Sequence, residues 1–133
     1  MRYAPYPQEY AALQDMSEAD LLEYFLTRVF ETEEVWGLDD GCEWLMQEAG
    51  EQWIMPVWPY RQLAEEANTV KGYTPLAESL EDFVYQTLTA LIEDNAMLRV
   101  LPSAHSEGCL VSPERLYDIL TGMFDAGEYR LDA

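Results

Sequence analysis

An α+β domain, with a mainly antiparallel sheet of about five strands and helices packed on it, is what three features of this chain predict. Apolar residues recur at helical spacing in separated stretches, at residues 22–30, 60–67, 83–92 and 116–124. Between these lie short runs that alternate or are wholly apolar, at residues 35–38, 42–47, 52–58, 97–101 and 109–111. The connections among the strand-like runs are of hairpin length, which favours antiparallel pairing.

The N-terminal residues, with Pro5 and Pro7, read as a loose arm over 1–7. Gln8 to Met16 reads as a short helix with Tyr10 and Leu13 turned inward. Ser17 is a good N-cap, with Asp20 at the third helical position. The helix it starts places Leu22, Phe25, Leu26, Val29 and Phe30 on one side and ends near Glu31.

The stretch Glu33 to Trp58 holds all four tryptophans, Trp36, Trp44, Trp53 and Trp58. It reads as three successive strands. Val35–Leu38 is the first, and Asp40-Gly41 suits a tight turn after it. Cys42 to Gln47 alternates, with Cys42, Trp44 and Met46 on one face. Glu48-Ala49-Gly50 reads as the second turn, and Gln52–Trp58 as a strand covered on both faces. Pro56 cannot donate to a ladder, so that strand is expected to be an edge there or to carry a bulge. Trp36, Trp44 and Trp53 are expected to be buried. Trp58, at a strand end before a proline, is expected to be the most exposed of the four.

Pro59 suits a first helical turn. The helix after it carries Tyr60, Leu63, Ala64 and Ala67 and is capped by Asn68. Thr69 to Thr74 reads as a loop. Ser79 caps a longer helix with Phe83, Val84, Leu88, Leu91 and Ile92 as its buried stripe, ended by Glu93-Asp94-Asn95. Met97–Leu101 is a strand stopped by Pro102. Residues 102–108 form a polar loop, and Cys109–Val111 returns as a strand. Ser112-Pro113 opens the last helix, with Leu116, Ile119, Leu120, Met123 and Phe124 inward. Residues 125–133 read as a weakly ordered tail. There is no internal repeat, and at 133 residues one domain spanning 1–133 is expected.

The tryptophan motifs also carry a resemblance. Glu34-Val35-Trp36-Gly37-Leu38 followed by Pro56-Val57-Trp58-Pro59 and an alanine-containing helix resembles a bacterial family of uncharacterised proteins, domain-of-unknown-function family 2750. Phe83 in an acidic helix, Val100-Leu101-Pro102 and the helix start at Val111-Ser112-Pro113 are similar to its later pattern. The likeness spans roughly Glu9 to Phe124. Tyr60 stands where that family commonly has a histidine, and Thr87–Met97 lacks its usual tryptophan-proline. The resemblance implies a fold and supplies no activity.

The net charge is −19. That argues against nucleic acid or an anionic membrane as a partner, since each phosphate contact needs Lys or Arg. It permits a basic protein partner, or solubility alone, an acidic solvated surface being the commoner case. No run approaches the ~18 apolar residues of a membrane-spanning helix, and MRYAPYPQEY has no apolar leader segment. A cytoplasmic chain with two reduced cysteines, Cys42 and Cys109, both small core side chains, is therefore expected.

No catalytic constellation stands out. His105 is the single histidine. It lies on a polar loop just before Cys109, and a Cys–His nucleophilic pair there lacks the exposed electropositive setting that a reactive thiol needs. From Glu31 to Gln52 the chain carries eight acids and no Lys or Arg, yet it has no calcium-loop spacing. No dinucleotide, phosphate-loop, nucleophile-elbow or zinc motif is present. No cofactor and no metal are expected.

The leading expectation is a protein-binding module of immunity, inhibitor or regulatory type. Its acidic segment, with Asp39, Asp40 and Glu43, would face a basic protein. The alternative is a small-molecule binder or enzyme with a pocket beside Trp58 and Tyr60.

Overall fold

The computed structural model describes residues 7–13, 15–104 and 106–126. His105 and most of the expected arm and tail lie outside them.

The elements run α1 (Pro7–Leu13), α2 (Glu18–Thr32), β1 (Glu34–Asp39), β2 (Gln47–Ala49), β3 (Gln52–Val57), α3 (Arg61–Ala67), β4 (Thr74–Ser79), α4 (Leu80–Asp82), a π-helical segment (Phe83–Thr87), α5 (Leu88–Glu93), β5 (Met97–Val100), β6 (Cys109–Val111) and α6 (Pro113–Asp125). The α+β class holds. The strands form a four-stranded sheet in the order β2-β3-β5-β6 and a two-stranded sheet, β1-β4. Every ladder is antiparallel except β3–β5, which is parallel, with Ile54 opposite Met97 and Val57 opposite Val100.

A bridge joins the two sheets. Trp36 and Trp58 exchange reciprocal main-chain bonds, N to O at 2.8 Å in both directions. Buried residues of α2, β1, β3, α3, α4, the π segment, α5, β5, β6 and α6 join in one hydrophobic cluster. Phe25, Val57, Phe83, Leu98 and Leu116 are fully buried in it.

The caps explain the helix starts. The hydroxyls of Ser17, Ser79 and Ser112 accept the main-chain N–H of Asp20, Asp82 and Arg115, at 3.2, 3.2 and 3.1 Å. Glu33 ends α2 in the left-handed region at φ 59°. Asn95 does the same after α5 at φ 56°. Helix α1 is shorter than Gln8–Met16, stopping at Leu13.

Three expectations are corrected. First, residues 42–46 of the expected 42–47 strand are not a strand. The Asp40 carboxylate draws in the main-chain N–H groups of Cys42 and Glu43, folding the chain into a compact loop. A single bridge pairs Asp39 with Trp44, and regular pairing starts at Gln47. The hairpin turn falls at Gly50-Glu51, with Gly50 at φ 66°, so Glu48 and Ala49 belong to a strand. Cys42 is exposed on the loop and is not a core side chain.

Second, β1 takes as its partner Thr74–Ser79, with Trp36 opposite Ala77. That strand reads TPLAES, too poor in β-branched and aromatic residues to announce itself.

Third, the tryptophan ranking is inverted for two of the four. Trp58 is 2% exposed, and Trp53, near the hairpin turn, is 50% exposed. Trp36 is buried as expected, and Trp44 is half-buried. Trp58 is covered because α3 and the loop after β5 close over the end of β3. Pro56 meets its expectation: β2 ends opposite Ile54, so β3 has a ladder neighbour at Pro56 only on the β5 side.

Candidate functional site

The loop from Leu101 to Gly108 makes the site. Leu101 sits at φ 58° and donates its N–H to Val57 O at 2.9 Å. This turns the chain back across the end of β3. Ser103 and Ser106 exchange main-chain bonds at 2.8 and 3.4 Å, closing the loop on itself. Gly108, at φ 77°, ends it. A Cβ there would collide with the Val100 carbonyl, so the position requires glycine. The Trp58 indole N–H donates to Pro102 O at 2.9 Å and pins the loop to the sheet.

Two adjoining depressions open beside this pin. They share Trp58, Glu66, Ala67, Pro102, Ser103 and Ala104 as walls. One, of about 170 Å³, is completed by Leu13, Leu21 and Leu63 from the helices. The other, of about 220 Å³, is completed by Leu38, Leu45, Pro56 and Val70. On the far side of the Ser103-Ala104 turn, a shallow groove of about 660 Å³ crosses the sheet past Gln47, Ile54, Arg99 and Ser106.

The residues singled out in the sequence divide between three places. Trp58 floors both depressions. Tyr60 does not reach them: it is 0% exposed and caps the start of α3 from inside the core. Asp39, Asp40 and Glu43 lie on the loop between Leu38 and Leu45, whose main chains are joined at 2.7 Å and whose side chains line the larger depression. The acidic loop therefore stands next to the cleft. Asp39 accepts the Gly41 N–H at 2.7 Å, and Asp40 accepts Glu43 and Cys42 at 2.8 and 2.9 Å. The main-chain N–H of Glu43, then that of Cys42, hold the Asp40 carboxyl below its ordinary value. Glu43 is exposed.

Sequence reasoning missed Glu66, Ser103, Arg99 and the 101–108 loop as a wall. The loop's polarity was visible, but its path back over β3 depends on a left-handed leucine that no composition signals.

Elsewhere, Arg28 reaches Glu9 at 2.9 Å and Glu31 at 3.0 Å, and Tyr24 donates to Glu9 at 3.0 Å. This cluster fastens α1 to α2. Burial, then the bond to Glu9, pushes the Tyr24 hydroxyl up. Among the described residues no three of His, Cys, Asp and Glu converge as a metal-holding group. No helix among them is long and apolar enough to cross a membrane.

Compared with known sequences, residues 22–120 match a family model described as a protein of unknown function (DUF2750). No curated protein matches the chain.

Proposed function

The chain belongs to the DUF2750 family of proteins of unknown function, and from that premise we propose that it is a protein-binding module whose Trp58 cleft receives an apolar side chain of a basic partner. One observation carries this reading. Two largely apolar depressions share the Trp58 floor, and an acidic loop adjoins the larger of them. The smaller, at about 170 Å³, is comparable to the ~150 Å³ apolar cavity that holds a benzene-sized group. A single ring or branched side chain fits that space. Asp39, Asp40 and Glu43 would steer a basic segment toward it.

The test uses the intact protein as bait. Ala67→Phe, at the last residue of α3, pushes a ring into both depressions. The expected result is a captured protein that is lost with Ala67→Phe and is released as salt rises past about 0.1 M. The same proteins recovered by both baits at every salt concentration would remove the reading. A circular dichroism melt of Ala67→Phe separates a filled cleft from a damaged fold.

A second reading rests on the same volume: a small ring-bearing molecule occupies the cleft, as substrate or ligand. Native mass spectrometry of the freshly purified protein tests it, since an adduct lost in Ala67→Phe is its expected sign.

A further inference from the structure

Arg99 stands apart from the other described cations. Arg28 and Arg61 pair with carboxylates, at 2.9 Å to Glu9 and 3.3 Å to Glu65. Lys71 and Arg115 are exposed. Arg99 is half-buried in the groove across the sheet and bonds through Nη1 to the main-chain oxygen of Glu107 at 3.0 Å. No carboxylate among the described residues pairs with it. In a chain of net charge −19, a half-buried guanidinium held by a main-chain oxygen and by no carboxylate among the described residues is set up to take a ligand.

Its position specifies that ligand. Arg99 lies opposite Pro56 in the parallel β3–β5 ladder, and Pro56 walls the larger depression. Neighbouring strands lie about 4.8 Å apart. A group held by Arg99 is thus one strand away from a group seated in the cleft. The Glu107 bond uses one edge of the guanidinium and leaves the remaining N–H groups for a fork-shaped acceptor. Other donors line the same groove. Gln47 offers its amide. The Ser106 Oγ accepts the Gly108 N–H at 3.0 Å, which leaves its own hydrogen to give. Glu48 and Glu107 also border this groove; Glu48 lies on the opposite pleat of β2 from Gln47, and Glu107 offers Arg99 its main-chain oxygen. The surrounding negative field disfavours a doubly charged phosphate and leaves a singly charged carboxylate as the fitting anion.

We propose that Arg99 is a carboxylate-binding subsite, and that the cleft and groove together take the C-terminal residue of a basic partner chain, its apolar side chain beside Trp58 and its terminal carboxylate on Arg99. This rests on the cleft reading above and deepens it. Charge complementarity selects the occupant. Basic residues upstream of the terminus face the acidic loop, and the single anion of the terminus meets the single half-buried cation of the groove.

The probes are acetyl-Lys-Lys-Phe as the free acid, the same peptide as its C-terminal amide, and 3-phenylpropionate. Affinities are read by titration, and the Arg99 Nε–H and Trp58 indole N–H are followed by NMR in wild type and in Arg99→Gln. The free-acid peptide is expected to bind at least about tenfold tighter than its amide, the lower end for hydrogen bonds to a charged group. Both N–H signals shift together, and Arg99→Gln abolishes the preference without changing the weaker amide affinity. Equal affinities for acid and amide, or a preference that survives Arg99→Gln, would overturn the subsite. If Trp58 still responds to both peptides in that case, the cleft reading stands while this one falls. If no probe moves Trp58, both fall. If 3-phenylpropionate binds as tightly as the free-acid peptide, the source is a small acid and the chain terminus is wrong.

Discussion

Trp58 and Trp53 bracket strand β3 and make opposite predictions. Trp58 is buried and its indole satisfies the Pro102 carbonyl. Trp58→Ala should therefore cost about 3–5 kcal/mol, as large aromatic truncations in cores do, and a lowered urea midpoint checks it. Trp36→Ala, also buried, belongs in the same range. Trp53→Ala removes a ring that is half in water and should cost on the order of 1 kcal/mol.

The two thiols differ as sharply. Cys42 is exposed, while Cys109 is buried, and burial, followed by the Glu18 charge, pushes its thiol up. An alkylating reagent should label Cys42 in the native protein and reach Cys109 only in denaturant, as peptide mass mapping would read.

Glu78 contributes one pH dependence. Burial raises its carboxyl, the Thr87 hydroxyl bond at 2.6 Å works against that, and Asp82 adds to the rise. The folded protein therefore holds this proton more tightly than the unfolded chain. The stability this confers is full below the ordinary carboxylate value and is lost as pH rises through the raised one. Glu78→Gln should raise the melting temperature at neutral pH, with the gain vanishing at acid pH, where Glu78 itself is neutral.

At the scale of elements, the hydroxyl caps support simple expectations. Ser17→Ala and Ser112→Ala should each cost about 1 kcal/mol in chemical denaturation. The π segment is a less common device. It inserts one residue into the helical register between Phe83 and Thr87. Phe83 and Val84 on one side of it and Leu88 and Leu91 on the other are all buried. Deleting the exposed Gln86 would restore plain α-helical winding and rotate one pair out of the core. A broad, poorly cooperative melt is the expected consequence.

These elements also mark where the sequence was legible. Helices announced themselves through periodicity and serine caps, because both are written in adjacent residues. The apolar β3, β5 and β6 were equally plain. Pairing was not. The partner of β1 is a strand containing proline and alanine, far along the chain and dependent on tertiary contact for its shape. The 42–47 stretch alternates like a strand, yet the local pull of the Asp40 carboxylate wins. The cleft shared that difficulty. Its floor was identified as Trp58, but its roof is made by a backbone excursion at Leu101, and Tyr60 was drawn inward by the core it helps to fill.

For the whole molecule, charge is the dominant property. Part of the acidic surplus is internally engaged: Arg28 answers Glu9 and Glu31, and Asp39 and Asp40 hold their own loop. Asp39→Asn, Asp40→Asn and Glu43→Gln together keep the side-chain oxygens that accept the loop's N–H groups while removing charge. This triple variant should leave circular dichroism unchanged and match or slightly exceed wild-type stability. It should also slow association with a basic partner, as stopped-flow traces at low salt would record. An unchanged rate would place the steering charge elsewhere.

The reciprocal bond between Trp36 and Trp58 has a consequence in time as well as in space. It is the seam at which β1 and β4 attach to the larger sheet, and its two amide hydrogens sit behind buried rings. If the seam parts only when the entire chain opens, those amides should exchange with solvent as slowly as Leu98 in β5. Faster exchange at Trp36, together with its β4 neighbours, would mean that the strand pair peels away as a unit of its own. The cleft, whose floor is half of that seam, would then come and go with it.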